Sequence, residues 1–270
     1  NGAFTNQGGK GYYIPKSIRK VTITLQTEIP ECAFQNCDLI EEIQIPELTT
    51  KIGDSAFYYC EKLNKLNSTE DGTYNLPKQI TQIEVNCFYY NKLLQKMSFG
   101  DLSLIGSNAF NNCVMLQAFE TSALKTVEAS AFSKCTMLGS VQTGDVLQTI
   151  GRSAFNGCTG LLRFNSMVDG KVVIPDTVTS IGYGAFEGCN AVEDITLPFV
   201  GISMTTEYSS LKVFGYIFGS CGSTSNNNQT SNGAYTSQCG KGYYIPKSIR
   251  KVTITLQTEI PAGAFQNCDL

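Results

Sequence analysis

The chain has 270 residues, 42% of them hydrophobic and 16% charged, with 20 basic against 23 acidic side chains and a net charge of −3. It is long enough and apolar enough to bury a continuous core, and its balanced charge offers none of the clustered cations that nucleic acid requires. Histidine is absent, which removes Ser-His-Asp, Cys-His and histidine–zinc chemistry, and no run of apolar residues is long enough to span a membrane.

The chain opens on NGAFTNQGGKGYYIP, which has neither an initiator Met nor a leader pattern, and it closes on AFQNCDL inside a repeat. The expectation is a fragment of a longer protein. Between these ends a unit I-G-x-x-A-F-x-x-C recurs as IGDSAFYYC (52–60), IEVNCFYYN (83–91), IGSNAFNNC (105–113), VEASAFSKC (127–135), IGRSAFNGC (150–158) and IGYGAFEGC (181–189). Related copies stand at 29–37 and 260–268, and a degenerate one, VFGYIFGSC, carries Phe218 and Cys221. The repeat Phe falls at 34, 57, 88, 110, 132, 155, 186, 218 and 265, so the period is 22–23 residues with extensions spliced into some units.

Three residues after each repeat Cys comes an apolar residue, with others at +6 and +8, as in Ile40, Ile43 and Ile45. Positions two apart share a face of an extended segment. Strands are therefore predicted near 20–24, 41–45, 64–67, 95–99, 117–121, 140–143, 162–166, 193–197 and 251–255. A short period with one strand and one turn per unit predicts a leucine-rich-repeat solenoid of about ten stacked coils. Its parallel sheet would lie on one side, with short helical or 3-10 turns opposite and Phe and Cys pointing inward. All of 1–270 then forms one solenoid, interrupted by an irregular loop at about 222–242.

At a longer scale residues 1–39 recur as 232–270, differing only at Phe4/Tyr235, Asn6/Ser237, Gly8/Cys239, Glu31/Ala262 and Cys32/Gly263. The offset of 231 suggests a tandem super-repeat.

The unit IPDTVTSIGYGAFEGCNAVEDITLP (174–198), followed by LPFVG, FGYIFG and GYYIPKSIRKVTIT, resembles the BspA-like leucine-rich repeat family, the leucine-rich repeat 5 class. The resemblance covers essentially the whole chain. It implies a secreted or cell-surface solenoid of host-associated bacteria or parasitic protists, with roles in adhesion and no catalytic residues to transfer.

Eight of the eleven Cys occupy one repeat position (37, 60, 113, 135, 158, 189, 221 and 268), which reads as a buried packing column, with bridges between neighbouring coils the lesser alternative. Cys32, Cys87 and Cys239 lie off it, and Asn91 replaces one member. A disulfide between Cys221 and Cys239 would close the polar segment GSTSNNNQTSNGAYTSQ, although the equivalent of Cys239 in the other copy is Gly8. No closely spaced pair of ligands points to a metal, and no cofactor is expected. Asn67 and Asn228 begin N-glycosylation triplets.

The outward strand positions form the candidate partner-binding face: Lys20, Glu42, Gln44, Lys65, Asn67, Lys96, Glu120, Gln142, Arg163, Asn165, Asp194 and Lys251. The face mixes charges and carries no aromatic platform, so a protein or other host-surface macromolecule is the expected partner, with self-association a further route. Adjacent carboxylates such as Glu41-Glu42 do not form an acid/base pair around a cleft, and no enzyme is expected. The function predicted is extracellular binding or adhesion; the alternative is a passive stalk that holds other domains away from the cell.

Overall fold

The computed structural model describes residues 2–206, 211–219 and 233–268, with the side chains of 7–206, 211–219 and 234–268. The strand anticipated in each coil is present: Lys20–Thr22, Glu42–Gln44, Lys65–Leu66, Lys96–Ser98, Ala118–Glu120, Ser140–Gln142, Arg163–Phe164, Asp194–Leu197 and Lys251–Ile254. These nine strands and two more, Thr73–Asn75 and Lys171–Val173, pair in parallel in one sheet of five and another of six. Their middle or second residues Ile43, Leu66, Phe119, Val141, Phe164 and Ile195 are buried in one continuous core. The solenoid has about eight turns of about 23 residues, fewer than ten. One reason is that the degenerate copy forms a 3-10 helix, Phe214–Phe218, in place of a coil strand.

Two further strands explain the long units. Thr73–Asn75 pairs in parallel with Lys65–Leu66, eight positions earlier, and Lys171–Val173 pairs in the same way with Arg163–Phe164. Parallel neighbours ordinarily need a crossover of a dozen or more residues. Here the loops 67–72 and 165–170 reverse sharply because Asn67 and Gly72, and likewise Asn165 and Gly170, adopt positive φ. The Ser68 and Ser166 hydroxyls accept hydrogen bonds from the backbone N–H of Glu70 and Val168. Each extension is thus a strand added to the sheet and not a loop hung from a turn.

A second sheet runs along another side of the solenoid. Gln82–Ile83, Leu104–Ile105, Thr126–Val127, Thr149–Ile150 and Ser180–Ile181 form five parallel strands, and Glu28–Ile29 pairs separately with Lys51–Ile52. The glycine that follows the apolar residue is required by close approach: a Cβ on Gly151 would lie 2.5 Å from the Glu128 carbonyl carbon, and one on Gly106 2.8 Å from that of Glu84.

The A-F-x-x-C segments are successive i to i+3 turns, as where Asn111 N–H bonds Asn108 O and Cys113 N–H bonds Phe110 O. They do not continue as helix because left-handed residues interrupt them, Asn108 at φ 56° and Asn112 at φ 62° in this coil. The alternation turns the N–H groups of residues 108, 110 and 112 along the solenoid, where they donate at 2.8–2.9 Å to the carbonyls of 129, 131 and 133 in the next coil.

Inside, Phe34, Phe57, Phe88, Phe110, Phe132, Phe155 and Phe186 stack in one column, neighbouring centroids 5.2–5.6 Å apart and planes within 13°. Phe218 is buried too, but it meets Phe214 at 74° within the 3-10 helix, and Phe265 packs on Phe214.

The cysteine column does more than fill space. The thiols of Cys60, Cys113, Cys135, Cys158 and Cys189 donate at 3.0–3.3 Å to the carbonyl of the Phe one coil back. Asn91 does the same with its amide, to Phe57 O at 2.7 Å. Its Oδ1 lies 3.0 Å from the hydroxyl of buried Tyr74, whose proton is shared with Leu63 O at 2.8 Å. Tyr74 sits on the first inserted strand; Val172 fills the matching place on the second, and the column there keeps Cys189. Cys87, which sequence alone leaves off the column, is fully buried at the alanine position of its turn.

Part of the segment expected as irregular loop is ordered. Gly233–Gln238 and Lys241–Pro246 form an antiparallel hairpin, repeated in the first copy by Gly2–Gln7 and Lys10–Pro15. Two consecutive positive φ values make each two-residue turn, Gly8-Gly9 in one and Cys239-Gly240 in the other, the conformation that suits the twist of paired strands. Cys239 is a free, partly exposed thiol; Cys221, Asn228 and the rest of 220–232 lie outside the described residues.

Replacing Phe132 by Ala should remove a ring stacked on both sides and cost about 3–5 kcal/mol, read as a lowered urea midpoint. Burial pushes the thiols of Cys60, Cys87, Cys113, Cys135, Cys158 and Cys189 well above the ordinary value. Unfolded thiols ionise near about 8.5, so above that pH the unfolded chain releases protons that the native state keeps. Stability should be full below about pH 8 and should then fall by up to about 1.4 kcal/mol per thiol per pH unit. Urea titrations at about pH 7 and about pH 9.5 check the slope, which Cys135→Ala should make shallower.

Candidate binding surfaces

The outward strand positions line up as the repeat requires. Lys20, Glu42, Lys65, Thr73 and Lys96 occupy one row across the first sheet, and Ala118, Ser140, Arg163, Lys171, Asp194 and Lys251 one row across the second. Thr73, Asn75, Lys171 and Val173 join the face through the inserted strands.

Much of the row is paired, either within itself or with an aspartate of an adjoining loop. Lys20 meets Glu42 at 2.7 Å, Lys65 meets Asp71 at 3.0 Å, Arg163 meets Asp169 at 3.5 Å and Lys251 meets Asp194 at 3.8 Å. The Lys20 ammonium and then the Gln44 amide hold the Glu42 carboxyl below its usual range. Gln142 donates to Ser166 O at 3.3 Å. Lys96 and Glu120 form no ion pair among the described residues.

Asn67 and Asn165 have structural tasks and do not reach outward as their strand register suggests. Each has positive φ, and each Oδ1 accepts from the backbone of the preceding coil, Ile45 N–H at 2.7 Å and Thr143 N–H at 2.8 Å. Asn165 Nδ2 also donates to Thr143 Oγ1 at 2.9 Å, whereas Ile45 offers Asn67 no such acceptor and leaves its Nδ2 buried without a partner among the described residues. That nitrogen is the one a glycan would need, so the folded chain does not present Asn67 for modification.

The loops that leave these asparagines share a pattern, N-S-x-x-D-G at 67–72 and 165–170. The serine forms the turn, the aspartate pairs with the strand cation and the glycine supplies the second positive φ. The tip of the second loop carries Met167 at 84% and Val168 at 62% exposure, apolar groups on an otherwise polar face.

The aromatic platform missing from the sheet face lies on the turn side. Tyr58 stacks on Tyr89 at 4.9 Å and Tyr59 on Tyr90 at 4.4 Å, and the two pairs touch to make one half-buried cluster. Lys92 lies 4.5 Å from the Tyr90 centroid and 3.0 Å from Glu61. Beside the cluster is a cavity of about 420 Å³ lined by Asn36, Asp38, Tyr59, Glu61 and Lys62. Burial raises the Tyr58, Tyr59 and Tyr89 hydroxyls above their ordinary values, so these three stay neutral and can both donate and accept.

Tyr59 and Tyr90 hold positive φ, at 56° and 65°, in a column that elsewhere uses Asn36, Asn112, Lys134, Gly157 and Gly188. A bulky side chain there costs on the order of 1–2 kcal/mol. The signal was present in the sequence as Tyr-Tyr at the two variable places of consecutive A-F-x-x-C segments, FYYC and FYYN.

Among the described residues no group of three His, Cys, Asp or Glu is placed to hold a metal ion, and no helix is long and apolar enough to cross a membrane.

Solved structures similar to this chain are leucine-rich repeat proteins of bacteria. One from Bacteroides ovatus is 20% identical, with TM-score 0.36, over 73% of this chain and 63% of its own. One from Eubacterium ventriosum is 22% identical, with TM-score 0.43, over 68% and 49%. A leucine rich cell surface protein from Faecalibacterium prausnitzii is 16% identical, with TM-score 0.32, over 95% and 87%. The chain thus spans less than two thirds of the length of the first two. No curated protein is a significant match. The BspA type leucine rich repeat region matches in six copies over residues 9–74, 72–169 and 164–270, and the chain belongs to that family.

Proposed function

We propose that the chain is a non-enzymatic repeat protein of the cell surface that binds macromolecular partners, a host-surface protein foremost. Family membership supports the location and the binding role. The observation that carries the reading is the tyrosine cluster: two of its four rings are kept in a backbone conformation that disfavours them, where other coils place asparagine, glycine or, once, lysine. Tyrosine is a frequent anchor of protein interfaces, with a large apolar face and a hydroxyl to pair. The sheet face contributes Lys96, Glu120 and the Met167-Val168 tip as further contacts; its paired cations contribute less.

The stalk reading is favoured by a different observation, the near-identical duplication of residues 1–39 at 232–270 beside a sheet face that neutralises its own charge. The two readings separate in a binding assay on host cells and immobilised matrix proteins. Tyr59→Asn with Tyr90→Asn should leave stability within about 1 kcal/mol, because relief of the left-handed strain offsets the lost stacking. The same pair should abolish saturable binding. Charge reversal at Lys65, Lys96 and Arg163 together should leave the fold intact and lower affinity only modestly. Binding lost on the reversal but kept in the asparagine variant would place recognition on the sheet face. Absence of saturable binding by the wild-type chain would favour the stalk.

A further inference from the structure

Residues 36, 59, 90 and 112 occupy one position in successive coils, and only 59 and 90 carry rings. Tyr90 is already served from within the chain, by the Lys92 ammonium 4.5 Å from its centroid and 3.0 Å from Glu61. At Tyr59 the column runs back to Asn36, too short a side chain to cover a ring, and the cavity of about 420 Å³ lies at this step. Its five lining residues belong to two adjoining coils, joined by backbone bonds from Phe34 N–H to Ala56 O at 2.8 Å and from Asn36 N–H to Tyr58 O at 2.7 Å. The walls are therefore built by these two coils alone.

The lining selects the chemistry of an occupant. Tyr59 offers an apolar ring face, Asp38 and Glu61 offer acceptors, and Lys62 offers a donor. Two carboxylates oppose an anion, and Lys62, with Lys92 already on Glu61, opposes a cation. A wholly apolar group would strip water from the carboxylates and return no hydrogen bond. What fits is a neutral ligand with one flat apolar face and a rim of hydroxyls, which describes a pyranose ring. Its C–H face can lie on the aromatic ring while its hydroxyls donate to the carboxylates in charge-assisted bonds. The volume suits a monosaccharide or a disaccharide.

We propose that this notch is a glycan-binding subsite that takes a neutral pyranose from a sugar chain carried by the host-surface partner. Tyr59 is the stacking face, and Asp38 and Glu61 are the hydroxyl acceptors. The inference rests on the reading of the tyrosine cluster as the recognition element and names what that element reads. The other rings hold Tyr59 in place, Tyr90 stacked on it at 4.4 Å and Tyr58 and Tyr89 against it at 4.9 and 5.6 Å.

Titration of the 270-residue chain with lactose, cellobiose and maltose, followed by saturation-transfer NMR and by the tyrosine ring resonances, tests this. At least one disaccharide should bind saturably, receive saturation on the C–H protons of one ring face and shift the Tyr59 resonance. Asn36→Tyr should abolish the response, because a third ring fills the notch while the four tyrosines stay; tyrosine already adopts this backbone conformation at 59 and 90. Asp38→Ala, at an exposed position, should keep the fold and weaken binding about tenfold, the loss of one charge-assisted hydrogen bond. No response to any of the three sugars, unchanged affinity in either variant, or a response to N-acetyl-lysine methylamide in place of the sugars would overturn the proposal. Periodate oxidation of host-cell glycans separates it from the function on which it rests, and should abolish adhesion. Adhesion that survives the oxidation would overturn the sugar subsite and leave the protein-binding reading standing. Sugar binding by a chain that does not adhere to cells would uphold the subsite and remove the adhesion reading.

Discussion

The structure depends on backbone hydrogen bonds that run from one coil to the next. In the coil of Phe110 the N–H groups of residues 108, 110 and 112 donate forward, and short parallel strands do the same on two other sides. A coil can satisfy its neighbour only by following the same path, so residues at equivalent positions fall into columns. The identity of each column then follows from what it touches. Phenylalanine stacks on itself, glycine clears the backbone one coil back, and cysteine gives its proton, as a second donor, to a buried carbonyl that already accepts a backbone N–H of its own turn.

Departures from the columns come in coupled sets. Asn91 replaces a cysteine where an inserted strand brings in Tyr74, because a buried hydroxyl needs an acceptor that a thiol supplies poorly and an amide supplies well. Where the second insertion brings Val172, the column keeps Cys189. Thr143 and Ile45 differ in the same way beneath Asn165 and Asn67, one completing the amide and the other leaving a nitrogen without a partner.

The same geometry arranges the outside. Variable positions in the turns become neighbouring side chains, so two Tyr-Tyr pairs 31 residues apart form one cluster. Opposite charges in successive strands become ion pairs, which quiet the sheet face.

The sequence by itself determined the solenoid, the nine strands Lys20–Thr22 through Lys251–Ile254, the inward phenylalanines and the burial of the cysteine column from Cys37 to Cys189; Cys268 is only partly buried. These follow from local alternation and a fixed period, which any stretch of one coil displays. Only the tertiary structure decided the inserted strands, the second sheet, the hairpins, the tasks of Asn67 and Asn165, and the joining of the four tyrosines. Each of these depends on a neighbour 3 to 31 residues away in sequence and one strand or coil away in space. Several also depend on positive φ at non-glycine residues, a conformation that the contacts of the next coil impose and that local preference opposes.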